Sequence, residues 1–296
     1  MTVPIAIIGA GPAGIAAAVQ LRRSGIGFLL FEKGRVGGLL NEANQVENFP
    51  GVPGGVPGRL LASRLKRQLV AAGIRVEKAR VTHLAYGGER FTLRTEQETF
   101  AADRVILSCG TVPLSPKPPL DAEKLRGRMF AGVLPLLKAR GETIAIIGGG
   151  DAACDYALSL AGNNEVHILV RSERLRALPL LVERCRRLGV VLHKNFRLVR
   201  VEVLEGDAGM VLHARNDPGK DNGGICCQRL LTAIGREPAL GFLAQELRAA
   251  LPELAARKAI FLAGDAGNGG FRQAAIAAAD GLRAAMEIHE GGSRCT

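Results

Sequence analysis

Residues 5–21 read IAIIGAGPAGIAAAVQL, and residues 143–160 read TIAIIGGGDAACDYALSL. Each stretch is a short apolar run, a glycine turn and an Ala/Leu-rich segment with helical spacing. The first turn is Gly9-x-Gly11-x-x-Gly14 and the second is Gly148-x-Gly150-x-x-Ala153. In this pattern the first glycine makes the tight exit from a strand. The second lets the backbone approach a pyrophosphate, and the third small residue lets helix and strand pack closely. The helix that opens there offers unpaired N–H groups and a partial positive charge to phosphates. A single such turn also occurs as a plain strand-to-helix connection. Two, each in strand–turn–helix context, predict a chain that holds two dinucleotides and passes electrons between them.

Working outward, 296 residues give room for two domains. A 47% hydrophobic and 23% charged mixture is that of a globular chain rather than a disordered one. The apolar segments are broken by Gly and Pro, so no transmembrane helix is expected. The apolar N-terminus lacks a preceding basic residue and carries the first glycine turn, so it does not read as a signal peptide, and a cytoplasmic location is expected. Six cysteines are scattered at Cys109, Cys154, Cys185, Cys226, Cys227 and Cys295. None forms a Cys-x-x-Cys pair or a zinc-ligand spacing, so no metal site is expected. Most read as small buried side chains. The vicinal Cys226–Cys227 pair reads as ordinary strand, and Cys295, in the tail GGSRCT, as an exposed thiol. The net charge of +11 favours acidic partners and speeds their encounter. With 2 Tyr, no Trp and no recognition motif, base stacking is poorly supplied and nucleic acid is not the expected partner. An acidic electron-carrier protein fits a redox chain better; a generic basic surface is the alternative.

Residues 4–33 read as β–α–β, with GFLLFEK as the second strand. Glu32 ends that strand, about 20 residues past the turn, where an acidic side chain binds adenosine ribose hydroxyls. Residues 34–58, dense in Gly and Pro, form a long irregular stretch of the kind that is usually functional. An amphipathic helix is expected over 59–73, with Arg59, Arg64, Lys66 and Arg67 on its polar side. Strand patterns follow at 74–85, 90–97 and 104–109. The last runs into SCGTVPLSPKPP, which looks like a domain crossover. The β–α–β logic then repeats: IAIIGGG, a helix to about 162, and EVHILVRS. A helix containing RCRRLG and several strand patterns follow, ending at LLTAIGREP. AIFLAGDAGNGG reads as strand and turn, before the helix FRQAAIAAADGLRAAMEIHE. His83, His167, His193, His213 and His289 receive no role, and no catalytic side chain is assigned.

These residues resemble a family. The chain is similar, end to end, to the two-dinucleotide-domain flavoproteins, and most closely to low-molecular-weight thioredoxin reductases. FEKGRVGG and VENFPGVPGGVPG resemble that family's flavin-domain loop. VILSCGTVP resembles its first crossover, with Cys109 where Thr is usual, and AIGREP its second. AGDAGNGGFRQAAIAAADG resembles its C-terminal flavin motif. The resemblance implies an α/β fold of two Rossmann-like domains: an FAD domain formed by 1–112 and 238–296, and an inserted NAD(P)H domain, 113–237. It implies that Gly9, Gly11, Pro12, Ala13 and Gly14 hold the FAD pyrophosphate and Glu32 and Lys33 the adenosine side. Gly38, Leu39 and Asn48 would lie along the flavin. Val81, Gly110, Ile234, Gly235 and Gly264 are further cofactor-binding positions. Asp265 would bind the ribityl or pyrophosphate region, and Arg272, Gln273 and Ala274 would meet the isoalloxazine at the start of the last helix. There a helix N-terminus stabilises negative charge on reduced flavin. A homodimer is the implied assembly.

On the nicotinamide side the implied set is Gly148, Gly150, Asp151, Ala152 and Ala153, with Arg171 and Arg176. The family's NADPH motif resembles HRRxxxRA; here it reads VRSERLRA, with Ser172 in place of one arginine. Two guanidiniums still clamp a 2′-phosphate, so NADPH is expected, with NADH as the alternative. The chain departs from the family where the redox-active Cys-x-x-Cys belongs, about a dozen residues before the second turn. There it reads RGRMFAGVLPLLKARGE: Ala131 and Leu134 stand at the dithiol positions and Pro135 where an acid would follow. Ala and Leu carry no disulfide, so dithiol exchange by the usual route is not expected. The expected function is an FAD-dependent NAD(P)H oxidoreductase that passes electrons to an external acceptor, ferredoxin or flavodoxin first. The alternatives are reduction of a small quinone or disulfide, or a non-catalytic flavin redox sensor.

Overall fold

The computed structural model describes residues 2–116, 120–206, 209–216 and 220–293. From the N-terminus the elements are β1 Thr2–Ile8, α1 Pro12–Arg23, β2 Phe28–Phe31, α2 Gly58–Ala71, β3 Val81–Tyr86, β4 Phe91–Thr95 and β5 Thr99–Leu107. Next come β6 Thr111–Pro113, β7 Met129–Phe130, β8 Thr143–Ile147, α3 Asp151–Leu160, β9 Glu165–Leu169, α4 Pro179–Arg187 and β10 Val191–His193. Then follow β11 Arg197–Val203, β12 Met210–Asn216, β13 Lys220–Cys227, β14 Arg229–Thr232, β15 Arg236–Pro238, α5 Gln245–Ala256, β16 Ile260–Leu262 and α6 Ala274–Ser293.

The chain folds as two compact units. The first comprises Met1–Asn41, Val46–Val112 and Glu237–Thr296; the second comprises Glu42–Gln45 and Pro113–Arg236. The two connections between them, β6 and β15, pair with each other as a short ladder.

In the first unit the sheet order is β2-β1-β5-β4-β3, with β16 pairing the C-terminal half of β5. β1, β2, β5 and β16 are parallel; β4 and β3 add an antiparallel hairpin. Ile5, Ala6, Ile7 and Ile8 of β1 are all buried, because helices cover both faces of a central parallel strand. Ile5 and Ile7 face α1, α2 and α6, while Ala6 and Ile8 face α5 and the hairpin. α1 begins with Pro12, whose missing N–H costs a first-turn position nothing, and ends on Arg22 and Arg23, which suit the negative end of the helix. α6 lies against α1 through small side chains, Ala13, Ala17 and Ala277 among them. A Cβ at Gly281 would overlap the carbonyl oxygen of Ala13, so glycine sets how closely the two helices approach.

In the second unit a fully parallel sheet, β10-β9-β8-β14-β7, carries α3 and α4 on one face. The antiparallel sheet β11-β12-β13 packs on the other, burying Met210, Leu212, Ala214 and Cys227 against Ala145, Leu169 and Leu230.

Three local expectations shift. The strand pattern at 74–85 yields a strand only from Val81; before it a lone bridge joins Glu77 to Phe31. The pattern at 104–109 belongs to the longer β5, which starts at Thr99 because β4 pairs its first half. The last helix begins at Ala274, not Phe271. Gly269 and Gly270 lead into a turn in which Phe271 N–H bonds the Asn268 carbonyl, and the Gln273 carbonyl accepts the first helical bond from Ala277. Glu42–Gln45 also group with the second unit: Glu42 accepts the N–H of Val133 at 3.0 Å, and Asp155 that of Asn44 at 2.8 Å.

Candidate functional site: two glycine turns

The first turn leaves β1 where the strand order reverses: β1 leads through α1 to β2 on one side, while its other neighbour, β5, comes much later in the chain. Ligands of open α/β sheets bind at the carboxyl ends of strands at such points. Gly9 has φ +106°, and a Cβ there would overlap the Ser108 carbonyl oxygen. A Cβ on Gly14 would overlap the carbonyl oxygen of Gly9. The Ser108 hydroxyl closes this contact, lying 2.8 Å from the Gly9 oxygen. Gly11 differs: its backbone is extended, and a Cβ there would meet no protein atom within 4 Å. Two glycines are therefore needed for packing, and the middle one keeps a face of the turn clear. α1 has no capping side chain and no acid in its first turn, so its N-terminal N–H groups face that clear side without an anionic neighbour on their own helix. These features fit a pyrophosphate.

Glu32 lies beside the turn. Its carboxylate accepts the N–H of Ala10 and of Gly34, each at 2.7 Å. These two bonds fix the carboxylate and use half of its roughly four acceptor positions, leaving the others for a ribose diol. Gly37 N–H bonds the Ala10 carbonyl at 2.7 Å, which draws the 37–41 turn, with Gly38 and Leu39, against the glycine motif. Asn41 holds this turn by donating to the carbonyls of Val36 and Gly38. Asn48 and Gln273, 225 residues apart, meet side chain to side chain at 2.9 Å. Gly264 and Asp265 form a 3₁₀ turn directly after β16. Asp280 of α6 accepts from the Gly264 N–H at 3.2 Å and from the Asn268 amide, clamping the turn to the helix. Val81 is buried at the start of β3. Cys109 is half-buried and burial pushes its thiol up to about 11, so it stays a neutral thiol near Lys33.

The second turn repeats the first. A Cβ on Gly148 would overlap the carbonyl oxygen of Ala233, Ala153 is fully buried, and a Cβ on Gly150 would meet nothing within 4 Å. The segment carrying Arg171 and Arg176 is tied to this turn: the Gly149 carbonyl accepts the N–H groups of Arg176 at 2.7 Å and Ala177 at 3.1 Å. Asp151, which opens α3, accepts the N–H of Leu178 at 2.8 Å through its side chain. It pins the far end of the same segment. Glu173 pairs with Lys194 and Asn195, away from the arginines. Arg171, Arg174 and Arg176 are exposed and, among the described residues, have no carboxylate partner. Gly235 and Ile234 sit at the end of β14, beside the crossover, where the Gly235 carbonyl accepts the N–H of Leu114.

Ala131 is exposed, and Leu134 opens a 3₁₀ turn, Leu134–Leu136. The turn is held by Glu42, which accepts the Val133 N–H and the Tyr156 hydroxyl. Burial and the Glu42 carboxylate push the Tyr156 phenol up; burial raises Asp155 despite the N–H groups of Asn44 and Gln45 bonded to it. Cys109, Cys154, Cys185, Cys226 and Cys227 are all free thiols. The vicinal pair splits as a strand demands, Cys226 exposed and Cys227 buried with its thiol pushed up to about 12. Cys295 lies outside the described residues. Among the described residues no cluster of His, Cys, Asp and Glu is arranged to hold a metal, and no helix is long and apolar enough to cross a membrane.

Asp280, Gly281, Asn41 and Ser108 are the residues that sequence reading missed. Gly281 alone carried a signal, a glycine inside an Ala-rich helix.

The family described as pyridine nucleotide-disulphide oxidoreductase matches residues 3–281. The chain belongs to this family. It is 30% identical over 317 residues to the thioredoxin reductase of Eremothecium gossypii, covering 97% of each chain. It is 28% identical to that of Neurospora crassa, covering 97% of this chain and 92% of the relative. Its fold superposes on Lactococcus lactis thioredoxin reductase with a TM-score of 0.86 at 24% identity, and on T. acidophilum thioredoxin reductase with 0.85 at 22%, each covering 99% of both chains. The protein is thus an enzyme of the thioredoxin reductase type, a flavoprotein whose family works with FAD and a pyridine nucleotide.

Proposed function

We propose that the protein is an FAD-dependent NADPH oxidoreductase that has no active-site disulfide of its own and delivers electrons directly to an external acceptor. One observation carries this reading: no two cysteines of the chain stand three apart, and Ala131 and Leu134 occupy the dithiol positions. When bound, FAD supplies the hydride acceptor and the store of electrons. The chain's residues supply position and field. Gly9, Gly11 and Gly14 with the N-terminus of α1 hold the FAD pyrophosphate, and Glu32 its adenosine ribose. The Asn48–Gln273 bond, Asp265 and the start of α6 line the flavin side. Gly148, Gly150 and Ala153 hold the nicotinamide dinucleotide. Arg171 and Arg176, which have no carboxylate partner among the described residues, select the 2′-phosphate; the Arg176 backbone is tied to Gly149.

The acceptor favoured is a small acidic carrier of the ferredoxin or flavodoxin kind, because the chain carries a net charge of +11. A cytoplasmic location and a homodimer accompany this reading. The test is stopped-flow reoxidation of the reduced protein against ferredoxin, flavodoxin, a quinone, small disulfides and thioredoxin. Fast reoxidation by the acidic carriers, and slow reoxidation by the rest, is expected. Preference for a quinone or a disulfide would replace the carrier, and failure of either nicotinamide to reduce the flavin would leave a non-catalytic sensor.

A further inference from the structure

Cys154 of α3 and Cys185 of α4 sit on the two helices that cover one face of the parallel sheet in the second unit. Cys154 is 0% exposed and Cys185 5%. The Cys185 thiol lies 3.6 Å from the Cys154 carbonyl oxygen, which brings the two cysteines together across the helix pair. An apolar cavity of about 130 Å³ opens beside both, lined also by Ile168, Leu175, Val182 and Leu192. Buried cysteines are ordinarily inert filler. Two cysteines on neighbouring helices that line one cavity are placed to react together. Space of this size holds a small peroxide and gives the two side chains room to turn.

We propose that Cys154 and Cys185 are a reversible dithiol–disulfide pair, closed by hydrogen peroxide and reopened by a small thiol, that fastens α3 to α4. Cys185 is the attacking sulfur. It is the less deeply buried of the two, 5% exposed against 0%. The Cys185 side chain, burial and the carboxylates of Asp151 and Asp155 push Cys154 up. The Cys154 side chain favours the Cys185 thiolate, against burial and the Asp155 carboxylate. The Cys185 thiolate attacks one peroxide oxygen, the O–O bond breaks, and the departing hydroxide takes a proton to become water. A sulfenic acid remains on Cys185. The Cys154 sulfur then attacks it, its proton leaves with the hydroxyl as a second water, and the S–S bond forms. Two thiols lose two electrons and two protons, and the peroxide is reduced to two waters. A small thiol reverses the bond by exchange, itself ending as a disulfide. The bond joins the helix that opens on the second glycine turn to the helix that follows the arginine-bearing segment.

The test uses the full chain loaded with FAD, its thiols reduced and the reductant removed. It is treated with equimolar hydrogen peroxide and digested without reduction. Mass spectrometry should find a peptide joining Cys154 to Cys185, two hydrogens lighter than its parts, which dithiothreitol restores to two thiols. Cys154→Ser should leave a sulfenic or sulfinic acid on Cys185 and no cross-link; if that variant does not fold, the unmodified chain alone decides. Cys154 and Cys185 recovered as thiols while exposed Cys226 is oxidised would overturn the proposal. So would oxidation of the pair that dithiothreitol does not reverse.

Discussion

Gly9 and Gly11 stand two residues apart, and a side chain should do opposite things at each. Gly11→Val places a methyl-bearing Cβ in clear space on an extended backbone, so the variant should fold with an unchanged melting temperature as apoprotein. It should bind FAD weaker by on the order of 100-fold, about 2.7 kcal/mol, read from flavin fluorescence on dilution. Gly9→Ala collides with the Ser108 backbone at positive φ and should fail at folding itself. Equal flavin affinity in Gly11→Val and the parent would place the phosphate elsewhere. On the nicotinamide side, Arg171→Ala should weaken NADPH about 10- to 100-fold, the loss of a charge-assisted hydrogen bond of about 1.5–3 kcal/mol. NADH, without a 2′-phosphate, should be little changed. Calorimetric titration of both nucleotides separates the two, and equal weakening would remove the phosphate role. These residues were legible because the motif fixes their spacing within one β–α–β unit. The Asn48–Gln273 bond needs segments 225 residues apart to meet, so spacing alone could not announce it. The side chain of Asp151 turned to Leu178 for the same kind of reason: a backbone N–H 27 residues away outbids open water only once the segment is folded beside it.

Among elements, α6 does more than its sequence suggested. It packs on α1 through Gly281 and clamps the Gly264–Asn268 turn through Asp280. Asp280→Ala removes the acceptor of a backbone N–H and of the Asn268 amide, and should destabilise by about 1–3 kcal/mol. Its flavin should also be released more readily than that of Glu290→Ala, an exposed change on the same helix. Gly281→Ala pushes α6 off α1 and should cost about 1–3 kcal/mol as overpacking. Urea unfolding midpoints check both, and a neutral Gly281→Ala would mean that the helices separate freely. The strands with strong apolar runs, β1, β8 and β9, are readable in sequence, whereas the first half of β5, which pairs β4, is not. β3 was not bounded correctly because its N-terminal flank has strand-like composition but only the Phe31–Glu77 bridge to pair with. The packing of β11–β13 over the parallel sheet is a tertiary choice: alternation in each strand shows a buried face, not what it is buried against.

For the whole molecule, the chain belongs to the pyridine nucleotide-disulphide oxidoreductase family, yet no two of its cysteines stand three apart. If its charge recruits an acidic carrier, turnover with that carrier should fall steeply as salt rises from about 0.01 to 0.15 M, where the Debye length shrinks from about 30 to 8 Å. Flavin reduction by NADPH alone should change far less over the same range. Thioredoxin should not be reduced at a useful rate. The central claim is that electrons leave without passing through any cysteine of the chain. Its most direct test is steady-state, NADPH-driven reduction of ferredoxin and of thioredoxin by the parent and by a folded, FAD-loaded variant with all six cysteines replaced. The account predicts the same ferredoxin turnover in both proteins and none with thioredoxin. Thioredoxin reduction by the parent that disappears in the cysteine-free variant would contradict it.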